Sequence, residues 1–211
     1  MKKIVSLILT MLLCAAICVP AFATDNEEYG EEIVAEMYYC ATAESLTGHI
    51  WLYFENISEK EIKVGYVTLA PGETTSVGSL RNTRTDGGGT YYNGEAFMSG
   101  YKPSVTGATV SLKKSLTESE LNTVSEEIKS MNLYILVGFN CGDFATRVWN
   151  SVSSRKIVHL CLPVITLIEL VFMGGSFGAV KMNVPDISRC FKQTDGGIKQ
   201  ASMSSFDLPC I

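Results

Sequence analysis

Apolar and polar positions change period along the chain and mark out three stretches. The first is an unbroken apolar run from Ile4 to Val19, preceded by Lys2 and Lys3 and followed by Pro20-Ala21-Phe22-Ala23. A basic start, a short apolar centre and small residues at alternate positions make up a secretory signal peptide. The run is shorter than the roughly 18–20 residues that cross a bilayer. The expected division is a signal peptide over residues 1–23 and a single domain over residues 24–211, ending in a helical or irregular extension. The mature chain is expected to hold no transmembrane segment and to be secreted or held at the cell envelope.

The second stretch reads as strands. Ile33 to Ala43 is apolar and β-prone, and Gly48 to Asn56 is rich in aromatic and β-branched residues. Asn56 to Lys60 reads as a polar turn and Ile62 to Leu69 as the returning strand, stopped by Pro71-Gly72. Thr74 to Leu80, Tyr91 to Phe97 and Ala108 to Leu112 read as further short strands. Arg81 to Thr90, with Gly87-Gly88-Gly89, is a loop: a mobile hairpin connection or a flap over a substrate. It lacks the lysine and following helix of a phosphate-binding loop.

The third stretch is helical. Thr117 can cap a helix start, Glu120 can return the capping bond, and Leu116 can staple to Leu121. Leu121, Val124, Ile128 and Met131 follow helical spacing, as do Phe144, Ala145, Val148, Trp149 and Val152 after Cys141. Leu133 to Phe139 is a buried strand or an extended approach. A buried helix is expected over Val164 to Phe172, and the tail from Asn183 to Ile211 shows no clear period. The fold class that follows is α+β, an antiparallel sheet of about five or six strands with helices packed on one face.

The chain has 211 residues, 46% apolar and 18% charged, enough for one ordinary domain. Its formal charge of −5 argues against a nucleic-acid partner held by a basic surface. Loss of the leader leaves 15 basic and 22 acidic side chains and five cysteines: Cys40, Cys141, Cys161, Cys190 and Cys210. An odd set leaves at least one thiol outside any internal pairing. Cys40 and Cys161 read as small buried residues, and a disulfide between Cys190 and Cys210 is one arrangement open to a secreted chain. No Cys-x2-Cys or His-x3-His spacing argues for a metal site, and no cofactor is expected.

Chemistry centres on Cys141 and on the two histidines, His49 and His159. Cys141 opens a helical stripe, where backbone N–H groups and the helix dipole favour a thiolate. An imidazole beside it completes the pair that acyl transfer needs, and the N–H of Cys141 or its neighbour can hold the oxyanion. His159 reads as structural, and Asp143 as a carboxylate complementing the helix dipole.

Gly48-His49 on an early strand and Asn140-Cys141-Gly142-Asp143-Phe144-Ala145 opening a late helix resemble the circularly permuted papain-like fold. That group includes relatives of NlpC-type cell-wall peptidases and of lecithin:retinol acyltransferase. The likeness covers roughly residues 36–154. It extends to uncharacterised secreted bacterial proteins that carry Tyr-Asn-x-Glu, here Tyr92-Asn93-Gly94-Glu95, and Val-Trp-Asn, here Val148-Trp149-Asn150. The resemblance implies Cys141 as nucleophile and His49 as general base. It implies a third polar residue on the strand after the histidine, matched by Thr68 or Tyr66, with Thr68 the candidate. Neither is the carboxylate, amide or imidazole that orients an imidazole best. Glu95 or Asn93 could substitute, or could serve as hydrogen-bonding turn residues. The expected function is a secreted cysteine amidase or peptidase acting on a peptide or amide substrate such as cell-wall peptidoglycan. The alternatives are an acyltransferase or lipid hydrolase of the same fold, or an inactive relative that binds a surface partner.

Overall fold

Strand alternation builds the centre of the molecule. In the computed structural model, β1 (Ile33–Glu44) and β2 (Thr47–Asn56) form a long hairpin in continuous register from Ala35/Asn56 to Glu44/Thr47. Met37, Tyr39 and Ala41 of β1 and Ile50, Leu52 and Phe54 of β2 point to one face. Cys40, Trp51 and Tyr53 point to the other. Both faces are covered, which is why these strands read as nearly continuous apolar runs. The structure describes residues 31–44, 47–81, 86–99, 109–135, 140–158, 163–178, 180 and 182–202. The expected signal peptide and the positions of His159, Cys161 and Cys210 lie outside these residues.

The main sheet is antiparallel and has eight strands in the order β10-β9-β6-β5-β2-β1-β7-β8. Its other members are β5 (Thr74–Leu80), β6 (Gly89–Tyr92), β7 (Val110–Thr117), β8 (Ser176–Phe177), β9 (Phe191–Thr194) and β10 (Gly197–Gln200). The excess over five or six strands comes mostly from the tail. There Asp195-Gly196, with Gly196 at φ 89°, turns β9 into β10 as a two-residue hairpin. The turn dipeptide was present in the sequence, but the flanking strands are polar and show no apolar alternation. The single polar side chain that matters in β9 is Gln193. Its amide donates to the carbonyls of Ile128, Lys129 and Met131 at 3.3, 2.9 and 3.1 Å, satisfying the end of a helix.

Two expected strands change identity. Ile62 to Leu69 is broken at Gly65-Tyr66 into β3 (Ile62–Val64) and β4 (Val67–Leu69), a separate two-stranded hairpin. Gly65 has φ 59°, the positive φ that a two-residue hairpin turn needs at its first central position. The expected strand Tyr91–Phe97 stops at Tyr92. Asn93 adopts φ 61°, and α1 (Gly94–Ser99) follows. Asn tolerates that left-handed conformation better than most side chains.

Three helices pack on the Leu52 face: α2 (Glu118–Lys129), α3 (Cys141–Val152) and α4 (Pro163–Phe172). The expected capping box of α2 is present. Thr117 Oγ1 accepts from the Glu120 N–H at 3.3 Å, and Glu120 Oε2 accepts from the Thr117 N–H at 3.2 Å. Leu121, Val124 and Ile128 of α2 join Phe144, Ala145, Val148 and Trp149 of α3 in the main core. The short α1 departs from the one-face expectation and packs on the opposite side of β5. The helix over Pro163–Phe172 is not a buried one. It buries Thr166 and Leu170, while Ile168, Val171 and Phe172 are exposed. Among the described residues no helix is long and apolar enough to cross a membrane.

Candidate active site

His49 lies on β2 two residues before Trp51, so both rings fall on the face away from α3. The rings stack, with centroids 5.6 Å apart and planes 13° from parallel. His49 is 2% exposed and Trp51 fully buried. The imidazole Nε2 is 3.0 Å from Glu95 Oε1. Glu95 is also fully buried, and its second oxygen accepts a hydrogen bond from Ser76 Oγ at 2.9 Å. A carboxylate only accepts hydrogen bonds. Bonded to one, Nε2 carries the ring proton, and Nδ1 of the neutral imidazole is then the nitrogen with the lone pair.

Backbone geometry delivers Glu95 to this point. Asn93 sits at the corner between β6 and α1. Its Oδ1 accepts from Thr75 Oγ1 at 3.0 Å and from the Ser76 N–H at 3.3 Å, and its Nδ2 donates to the Arg189 carbonyl at 3.0 Å. The Asn93 N–H donates to the Ser76 carbonyl at 2.8 Å, so residues 76 and 93 hold each other through both backbone groups of Ser76. The corner turns the chain back over β5 and lays the Glu95 side chain across Gly78. A Cβ at position 78 would collide with Glu95 Oε1 and press on the Trp51 Cβ. The Gly78→Ala variant is expected to push Glu95 off His49 and to cost about 1–3 kcal/mol by overpacking. Urea unfolding measures that cost.

The sheet opens beside this pair. Among the described residues, the β2–β5 ladder runs only from Leu52/Val77 to Glu55/Thr74. Beyond it β2 stays paired with β1 through Thr42/His49, and β5 stays paired with β6 through Leu80/Gly89. His49 and Glu95 therefore lie at a seam between two halves of the sheet. Helix α3 contacts both β2 and β5 and lies over that seam from the other face.

Cys141 is the first residue of α3 and is 3% exposed. Asn140 caps the helix: its Oδ1 accepts from the N–H groups of Gly142 and Asp143 at 2.9 and 3.3 Å. Asp143 Oδ2 accepts from the Asn140 N–H at 3.0 Å, completing a capping box. Asp143 thus closes the helix end as well as facing its dipole. The Gly142 N–H is engaged in the cap, which removes it as an oxyanion donor. Tyr39 anchors α3 on β1. Its hydroxyl bonds Thr146 Oγ1 at 3.0 Å, and its ring meets Trp149 edge-on at 5.9 Å. Burial raises the pKa of that hydroxyl, and the nearby Cys141 adds to the rise.

Neither residue expected to hold the imidazole lies in this network. Thr68 pairs with Lys63 on the outward face of the small β3–β4 hairpin, and Tyr66 packs at the edge of the main core. The reason is the break at Gly65-Tyr66, which takes that segment out of the main sheet. Thr68→Ala is expected to shift stability by less than about 0.5 kcal/mol, seen by thermal unfolding, and to leave thiol reactivity unchanged. Ser76 went unnoticed in the sequence, where a serine in a strand carries no signal of its own. Glu95 had one: an acidic residue in a short motif, next to an asparagine suited to a left-handed corner.

Cys40 and Cys190 are buried free thiols. Burial, and after it the Glu95 charge, push both pKa values up, that of Cys190 to about 12. Among the described residues, no three His, Cys, Asp or Glu side chains converge as metal ligands would.

No protein-family model, curated protein or solved structure matches the chain.

Proposed function

We propose that the protein is a cysteine amidase or peptidase of the permuted papain-like kind, with Cys141 as nucleophile, His49 as base and Glu95 as the group that orients the base. The observation that carries this reading is the buried His49–Glu95 contact of 3.0 Å at the seam beneath α3. A buried imidazole bonded through Nε2 to a carboxylate has a set tautomer and a stabilised cationic form, the role of the aspartate in a serine triad. Glu95 takes the place expected of Thr68, and a carboxylate suits that role better than a hydroxyl.

His49 lies on the sheet face away from the helix that Cys141 opens, so the proposed reaction needs the two groups to meet at the gap between β2 and β5, where His49 Nδ1 takes the Cys141 proton. The thiolate adds to the amide carbonyl, and the S–C bond forms as the carbonyl π pair moves onto oxygen. Collapse of that adduct breaks the C–N bond, and the imidazolium gives its proton to the departing amine. Water, deprotonated by His49, then adds to the thioester and releases the acid and the thiol. The substrate class follows from the resemblance and the leader-like start: a peptide or amide in the cell envelope, such as cell-wall peptide. Trapping tests it. Incubation with an activated acyl ester is expected to add one acyl mass on Cys141, located by peptide mapping, and Cys141→Ala is expected to show none. Absence of any adduct on Cys141 overturns the reading.

A further inference from the structure

We infer that Ser76 is a positioning residue for the candidate base, setting the state of His49 through Glu95; this rests on the triad reading for its consequence in catalysis. Ser76 lies in the middle of β5, opposite Tyr53, and is fully buried. A hydroxyl has one proton to donate. The Ala96 N–H points at Ser76 Oγ at 3.2 Å and occupies its acceptor side, so the proton is left to Glu95 Oε2 at 2.9 Å. The backbone of Ser76 is held at both its N–H and its carbonyl by Asn93. The donor therefore has neither rotational nor backbone freedom, and the carboxylate it meets is fixed in plane. The first oxygen of Glu95 then has one direction left, toward His49 Nε2. A buried carboxylate that loses one of its donors either takes up a proton or swings to find another partner. Each change weakens its hold on an imidazolium.

Serine-to-alanine tests this with little change of volume. The chain has two histidines, so imidazole nitrogen and proton resonances from labelled protein can be assigned with a His49→Gln variant. Wild-type His49 is expected as the Nε2–H tautomer. In Ser76→Ala the expected result is partial loss of that tautomer and a fall of about one unit in the His49 titration midpoint, with His159 unmoved. The alkylation rate of Cys141 at pH 5.5 is expected to fall about threefold to tenfold with it. An unchanged tautomer and midpoint in Ser76→Ala overturns the inference, and so does an equal shift of both histidines, which reports a general loosening. The nuclear readout is independent of Cys141, so it stands or falls apart from the triad. The triad is judged separately by whether Cys141 reactivity depends on His49.

Discussion

His49→Ala is expected to slow alkylation of Cys141 by iodoacetamide about twentyfold at pH 5.5. Two opposing effects set that figure. An unassisted thiol of pKa about 8.5 is only about one part in a thousand thiolate at that pH. On the proposed pairing with an imidazolium most of it would be thiolate, a gain near a thousandfold. A thiolate of low pKa is also the poorer nucleophile, and a Brønsted slope of about 0.4–0.5 over three to four units removes about fifteenfold to a hundredfold, about fiftyfold at mid-range. The gain wins at low pH and fades as pH approaches the free thiol value, so the signature is a pH profile. Wild type is expected to stay reactive below pH 6, whereas the variant's reactivity should rise only at higher pH. Cys40 and Cys190 stay silent throughout, because burial keeps both as neutral thiols at neutral pH. Identical profiles for wild type and His49→Ala would remove His49 from the chemistry.

Glu95→Ala carries the largest expected cost in stability, about 3–5 kcal/mol by urea unfolding. The alanine strips His49 Nε2 and Ser76 Oγ of their acceptor at once, inside a fully buried cluster. It also leaves a space above Gly78 that the surrounding strands cannot fill. Glu95→Gln keeps the shape and an acceptor oxygen, and is expected to cost less, about 1–2 kcal/mol. It removes the charge that stabilises an imidazolium, so its Cys141 profile should move toward that of His49→Ala although most of the stability is kept. A cost below about 1 kcal/mol for Glu95→Ala would mean that the carboxylate is not what holds this cluster together.

The same contrast between local and long-range information runs through the fold. The capping box of α2 was legible because its participants, Thr117 and Glu120, lie within four residues; the equally local box of α3, Asn140 with Asp143, was not, Asp143 being expected only to face the helix dipole. The helical stripe behind Cys141 was legible because its period follows from one-sided burial, and the long β1–β2 hairpin because burial on both faces makes each strand a nearly continuous run of apolar and β-prone residues. The β3–β4 break was harder to see. Gly65 inside an apolar run fits either a strand or a turn, and what selects the turn is its meeting with Ser125 of α2, whose hydroxyl accepts from the Gly65 N–H at 3.2 Å. The β9–β10 hairpin was missed because polar edge strands draw their stability from ladder bonds to β6 and from one glutamine capping a distant helix.

By itself the sequence determined an α+β chain, a cysteine opening a helix, a histidine on an early strand and a glutamate in a short Tyr-Asn-x-Glu motif. Periodicity and capping are local physics, written in neighbouring residues. Only the tertiary structure decided that Glu95, and not Thr68, meets His49. That choice depends on a left-handed turn at Asn93, a missing side chain at Gly78 and a hydroxyl at Ser76, which come together from β5 and the corner after β6. Each is an ordinary residue alone, and a hydrogen bond across 46 positions leaves no period in the chain.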